Sequence, residues 1–351
     1  MNSKERVKGA FSSKGFDRLP MWYGADIELT KKLCAYTGSL DGEDLLKNLS
    51  ADFYTVRAKY IGPSLESYDD GSYETMWGIR RGGVSYGVAL EAPLNHAETI
   101  KEIESYEFPK VEWFDCKFND HEKEMAKDYY VIGGEWAPFW HEAFDLITLE
   151  KMLMDLLTNP VVPEALMDRC LEFHMELNEK VFTENRGLID MYWFANDFGT
   201  NHGLMMSPEI WRKYMKPREA KLAEQGHKYG MTVCMHSCGD ITSIIPDLIE
   251  IGIEVLNPIQ VSCKGMDPVF LKKEYGKDLI FFGGIDYNEL LSLGTEEEVR
   301  ENVRYMVDTL GYDGRYIVAP SHDLLLGEVP AKNMIALYDE AKRYSRKYAA
   351  E

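Results

Sequence analysis

Short apolar runs alternate with amphipathic stretches along almost the whole of this chain, and that alternation limits the fold more than any other feature. Arg18-Leu19-Pro20-Met21-Trp22-Tyr23 reads as a first strand, followed by helical stretches from Ile27 to Tyr36 and from Asp41 to Leu49. Further strands are expected from Asp52 to Ala58, Tyr129 to Gly134, Leu188 to Phe194 and Met231 to Met235, near Val255, and at Leu279 to Phe282 and Tyr316 to Val318. Helical periodicity fills the intervals. It runs from His141 to Glu184 with a break at Asn159-Pro160, starts again at Ser207-Pro208-Glu209 with Ser as N-cap and Pro at the first helical position, and recurs near Ile241, Pro268, Glu297 and Pro330. A side-chain period that switches repeatedly from 2 to 3.6 marks βα units. About eight such units favour a (β/α)8 TIM barrel over an open doubly wound sheet. The expectation is an α/β chain forming one barrel domain over residues 1–351, with a β-hairpin inserted near residues 73–93 and overhanging the barrel mouth.

Charge narrows the partners. The 59 acidic residues against 39 basic ones give a formal net charge of -20, dispersed rather than gathered in a tail. Such a surface repels nucleic acid and anionic lipid, and it disfavours a polyanionic substrate unless the pocket supplies its own Arg or Lys. The charged start Met-Asn-Ser-Lys-Glu-Arg-Val-Lys reads as a surface helix rather than a signal peptide, and no long apolar segment follows. The 6 Cys are scattered without the spacing of a disulfide scaffold. A cytoplasmic protein with reduced thiols is expected. Neither a Gly-x-Gly-x-x-Gly nor a Walker sequence is present.

Chemistry concentrates where the strand before His236 ends. In Val233-Cys234-Met235-His236-Ser237-Cys238-Gly239-Asp240, two soft ligands lie two residues apart, so the His236 imidazole and the Cys238 sulfur can converge on one point. Imidazole and thiolate suit zinc, and a catalytic zinc needs three such groups plus an open position. A buried Cys and a hydrogen-bonded core His are the commoner outcome for these residue types; the strand-to-helix corner favours the metal reading. The preferred third ligand is His322, with Cys263, Glu135 and Asp197 as alternatives. In a barrel, active groups sit at the C-terminal strand ends, which places Tyr23, Glu135, Asp197 with Asn201 and His202, His236 with Cys238, Asn257 with Gln260, Asp286, and Ser321-His322-Asp323 on one rim. Asp197 and His322 are the expected catalytic groups. Tyr23, Trp136, Asn201, Gln260 and Asp286 are expected to contact substrate, although Asp286 equally suits a helix N-cap.

Several of these segments resemble the uroporphyrinogen decarboxylase superfamily, closest in motifs to its cobamide-dependent zinc methyltransferases. The resemblance rests on Glu5-Arg6-Val7 with Asp17-Arg18-Leu19-Pro20, Asn196-Asp197-Phe198-Gly199-Thr200, Ser207-Pro208-Glu209-Ile210-Trp211, His236-Ser237-Cys238-Gly239, Asn257-Pro258-Ile259-Gln260, Gly283-Gly284-Ile285-Asp286 and Ala319-Pro320-Ser321-His322. Decarboxylases of this superfamily carry an Arg-rich cluster after the first strand that holds a polycarboxylate. Here that place reads Met21-Trp22-Tyr23-Gly24-Ala25-Asp26-Ile27-Glu28, which would repel one. The zinc methyltransferases use His-x-Cys and a further Cys near the last strand, where this chain has His322. The resemblance therefore implies a zinc-dependent methyltransferase moving a methyl group between a small molecule, a thiol or a methylated oxygen or nitrogen compound, and a corrinoid on a corrinoid-binding partner protein. Two rival expectations remain. One is a metal-free decarboxylase-like lyase acting on a cyclic carboxylate, with Asp197 stabilising the intermediate and His322 carrying the proton. The other is a non-catalytic tetrapyrrole- or corrinoid-binding subunit.

Overall fold

The computed structural model describes residues 1–83 and 86–349. Seven parallel strands form one sheet in strict sequence order: β1 (Phe53–Thr55), β2 (Tyr130–Gly133), β3 (Met191–Ala195), β4 (Thr232–His236), β5 (Val255–Ile259), β6 (Ile280–Ile285) and β7 (Tyr316–Pro320). Helices cover the outside between them, among them Val161–Glu184, Lys216–Lys228, Glu296–Leu310 and Ala331–Tyr344. Parallel neighbours joined through helices are the TIM-barrel arrangement.

The expected first strand at residues 18–23 is not a regular strand. Pro20 has no N–H to give a ladder, so the segment pairs only locally, through a parallel bridge between Met21 and Val318. It still closes the ring. Trp22 N–H donates to the Val318 carbonyl at 3.1 Å, Val318 N–H to Pro20 at 2.9 Å, and on the other side Asp52 N–H to Met21 at 2.8 Å. The fully buried Asp52 carboxylate locks this seam, accepting from Arg6 Nη1 at 2.8 Å, Arg18 Nη1 at 2.7 Å and Met21 N–H at 2.9 Å. Arg6 and Arg18 thereby account for the two N-terminal sequence markers.

The insertion is a 3-stranded antiparallel sheet, Tyr73–Glu74, Arg80–Gly82 and Val88–Ala89, rather than one hairpin. A turn at Trp77-Gly78, with Gly78 at φ 66°, adds the extra strand. Part of the expected hairpin, Val84 and Ser85, lies outside the described residues. The sheet does lean over the mouth: Arg81 pairs with Asp145, and the Tyr86 hydroxyl donates to Asp323 Oδ2 at 2.8 Å. The long helical stretch breaks twice, at Thr148 (φ 78°) as well as at Asn159-Pro160, and the segment after Asp240 begins with a 3-10 turn, Thr242–Ile244, before the helix Ile245–Glu250.

Two layers of core follow from strand alternation. Val233 and Met235 pack outward against helices, whereas Cys234 faces the barrel interior with Trp22, Phe53, Ile132, Trp193, Phe282 and Ile317. His236, two residues beyond Cys234, therefore points into the barrel at its C-terminal end.

Candidate metal centre

His236 ends β4 and is 4% exposed, its ring 5.7 Å from the Trp136 indole and 6.4 Å from that of Trp193. Asn257, in register on β5, puts Oδ1 2.7 Å from His236 Nδ1. An amide oxygen there calls for a proton on Nδ1 and leaves Nε2 as the position that takes either a second proton or a metal. Around Nε2 stand Cys238 Sγ at 3.4 Å, Asp197 Oδ1 at 3.5 Å and Asp323 Oδ1 at 4.0 Å. Asp197, His236 and Cys238 offer ligand atoms that all lie within 4.8 Å of one another.

Cys238 does not reach this point by strand alternation, because the strand stops at His236. A turn brings it there. Cys238 N–H donates to Asp197 Oδ1 at 2.7 Å, Gly239 N–H to Gln260 Oε1 at 2.7 Å, and Phe198 N–H to Ser237 Oγ at 3.0 Å. The turn also needs glycine: Gly239 sits at φ 87°, and a Cβ there would stand 2.4 Å from the Gly199 carbonyl carbon. The Asn196–Thr200 and His236–Gly239 markers thus describe two loops in backbone contact.

The donor set fits zinc. A tetrahedral zinc with one nitrogen, one sulfur and one oxygen ligand requires ligand-to-ligand edges of about 3.3–3.6 Å, which the His236–Cys238 and His236–Asp197 separations match. The Asn257 bond supplies the outer support that metal-bound imidazoles need. Electrostatics point the same way. Burial lowers the His236 pKa, but the Cys238 sulfur, Asp323 and Asp197 outweigh it and raise the imidazole to about 10. Burial would raise Asp197, yet its hydrogen bond from His141 and the charges of His236 and His141 hold it well below the usual carboxylate range. Burial dominates at the Cys238 thiol and pushes it up, with His236 pulling against it. The Asp197 and Asp323 carboxylates beside this imidazole favour positive charge at the centre, and a bound metal would have to draw off the Cys238 proton.

The third group beside His236 and Cys238 is Asp197, not His322. The His322 Nδ1 accepts from Leu324 N–H at 3.2 Å and lies 3.2 Å from Asp323 Oδ1, with its ring against Tyr287. The tight turn Ser321–Leu324 thus turns the imidazole toward its own backbone. Cys263 is buried and directed at Asn201 Oδ1, 3.8 Å away, so these two residues meet each other outside the donor trio. Glu135 Oε1 accepts from Ala58 N–H at 2.8 Å. Gln260 is spent on the Gly239 turn. Asp286 Oδ2 caps the following turn through Glu289 and Leu290 N–H at 2.9 and 3.0 Å, while its Oδ1 is buried without a partner among the described residues. The Tyr23 hydroxyl meets Thr30 Oγ1 at 2.9 Å. Trp136 is the expected substrate contact that touches the centre directly.

Three neighbours escape the sequence reading. His141, 3.5 Å from Asp197 Oδ2, lies at the start of a helix. Tyr86 comes from the insertion, and no local signal ties it to Asp323. Arg57 had a signal: it is a charged residue at the C-terminal end of an apolar strand. A cleft of about 410 Å³ between the insertion and the helix Phe139–Ile147 has His141 in its lining but none of Asp197, His236 and Cys238. A larger one, about 520 Å³, opens at the opposite end of the strands among Lys8, Tyr130, Glu254 and Arg315, the end that serves barrel stability.

A sequential parallel barrel with metal-ligating side chains converging at its C-terminal mouth defines a TIM-barrel protein with a candidate catalytic metal centre. The family model described as Uroporphyrinogen decarboxylase (URO-D) matches residues 86–344, and the chain belongs to that family. Among solved structures it is similar to a methyltransferase from Methanosarcina mazei, at 17% identity and a TM-score of 0.63, covering 98% of this chain and 99% of that one. No curated protein gives a significant match. Among the described residues no helix is long and apolar enough to cross a membrane.

Proposed function

We propose that this protein is a zinc-dependent methyltransferase that moves a methyl group between a small molecule and a corrinoid carried by a separate protein. The observation that carries the reading is the convergence of Asp197, His236 and Cys238 at the barrel mouth. The fold shared with a protein named as a methyltransferase supports it, as does the lack of an Arg cluster after the first strand, which counts against a polycarboxylate substrate. Zinc held by these three residues would supply a Lewis acid able to keep a thiol as thiolate or to polarise the oxygen or nitrogen of a methylated compound.

The surrounding residues would position the reactants. Asn257 orients the imidazole, and Trp136 gives the site an apolar wall. Asp323, tied to Tyr86, would accept a hydrogen bond from a substrate group at the open position, since its Oδ1 stands 4.0 Å from His236 Nε2. Methyl transfer is a displacement that needs three atoms in line, so this placement matters as much as activation.

Elemental analysis of the purified protein tests the reading. The wild type should carry about one zinc per chain, and His236→Ala, Cys238→Ala and Asp197→Asn should each lose most of it. Wild-type protein that stays metal-free after incubation with zinc would overturn the proposal and bring the metal-free lyase forward.

A further inference from the structure

We infer that Arg57 is the anchor for an anionic group of the substrate, a carboxylate or sulfonate, held beside the Trp136 indole at the barrel mouth. Arg57 follows β1 by two residues and is half-buried. One guanidinium N–H donates to the Gly134 carbonyl, and the guanidinium carbon lies 5.3 Å from the centroid of Trp136, the same ring that stands 5.7 Å from His236. Cation and metal ligands therefore share one aromatic neighbour.

Most of the other buried or half-buried guanidiniums have carboxylates; the exception is Arg315, at the opposite end of the strands, which has no ion pair among the described residues. Arg6 and Arg18 share Asp52, Arg81 pairs with Asp145, and Arg218 with Asp168. Among the described residues, no carboxylate oxygen lies within the 4.0 Å of an ion pair from Arg57. Glu135 contributes its field from further away, with Oε1 committed to Ala58 N–H. Burial is the largest influence on this guanidinium and pulls its pKa down, the direction expected when a cation is desolvated without full compensation. A guanidinium carries five N–H donors in a planar fork, and the Gly134 bond fixes its orientation. The remaining edge suits bidentate capture of a planar carboxylate or an equivalent oxyanion. On a surface of net charge -20, such an anion would otherwise be repelled.

That the far end of the ligand reacts beside His236 rests on the proposed function; the anchor itself does not. Calorimetric titration of the full chain tests it with two shape-matched pairs that differ in charge, 4-methoxybenzoate against 4-methoxybenzamide and 3-mercaptopropionate against 3-mercaptopropanol. The wild type should bind each anion on the order of ten- to a hundredfold more tightly than its neutral partner. Arg57→Gln should abolish the preference, and Arg57→Lys, which keeps the charge but not the fork, should leave an intermediate one. Equal binding within both pairs, no binding of either anion, or a preference that survives in Arg57→Gln overturns the inference. Should Arg57→Gln not fold, an Arg57→Lys preference equal to that of the wild type does the same. Zinc measured on the same samples separates the two ideas. Anion preference without zinc keeps the anchor and defeats the zinc reading, and zinc without anion preference does the reverse.

Discussion

The two ends of this barrel treat buried charge in opposite ways. At the N-terminal end, Arg6, Arg18 and Asp52 are all under 10% exposed, and the Asp52 carboxylate meets guanidinium and backbone N–H donors with both of its oxygens. At the mouth, Asp197, Cys238 and Asp323 crowd acceptors around one imidazole, and Arg57 stands without an ion-pair partner among the described residues. A charge cluster whose donors and acceptors balance needs nothing else and works as a clip. One with an excess of a single kind is incomplete by itself, and on the proposed readings a bound cation would complete the acceptors and a bound anion the guanidinium.

The largest effect is expected at the balanced end. Asp52→Asn keeps the shape but removes the negative charge, leaving Arg18 without a carboxylate while Arg6 retains Asp17. Breaking a buried pair on one side costs about 3–5 kcal/mol, so urea denaturation should show a much lower midpoint than wild type. Asp197→Asn should move that midpoint little in metal-free protein while removing zinc. If Asp52→Asn melts like wild type, the seam is no clip and the contrast between the two ends fails.

How legible each end was in the sequence follows from the same difference. The barrel could be read because period-two runs such as Val233 to Met235 alternate with helical stretches, a local pattern that the structure keeps. The closing strand was misread because Pro20 removes a donor in an otherwise apolar run. His236 and Cys238 were legible as neighbours in sequence. Asp197 as the third member of the cluster was only one of several options, since its place beside His236 and Cys238 depends on a contact across 41 residues and on a turn in which His322 Nδ1 meets the Leu324 N–H. Arg57, His141 and Tyr86 reach the mouth from three different segments, so no spacing in the sequence relates them.

An intermediate effect is expected from the support behind the trio. Asn257→Ala removes the 2.7 Å contact to His236 Nδ1 without touching a ligand atom. Loss of such outer partners lowers metal affinity by roughly 10–100-fold. Competition with a zinc-selective chelator should show weaker retention at unchanged stoichiometry in saturating zinc. Unchanged affinity would mean that the acceptor cluster alone sets the imidazole, and would narrow the mouth's role in the comparison to the three donors.

The smallest effect concerns a carboxyl that belongs to neither end. Glu219, on the helix Lys216–Lys228, is fully buried with no well-formed hydrogen bond at either oxygen among the described residues. Burial raises its pKa well above the ordinary 4.5, and the Asn196 side chain offsets this only in part. It therefore stays protonated in the fold where the unfolded chain has already ionised. Its contribution to stability is fully present below about pH 4.5 and is lost as pH rises toward the folded value. Glu219→Gln removes this dependence, so at pH 7 the variant should be more stable than wild type by about 0.5–2 kcal/mol, the usual span of stabilising substitutions, with the gap closing as pH falls toward 4.5. Denaturation midpoints at pH 4 and 7 measure it. A variant less stable than wild type at pH 7 would show that Glu219 is ionised and compensated in the fold, and would add it to the balanced charges of the seam instead of setting it apart from them.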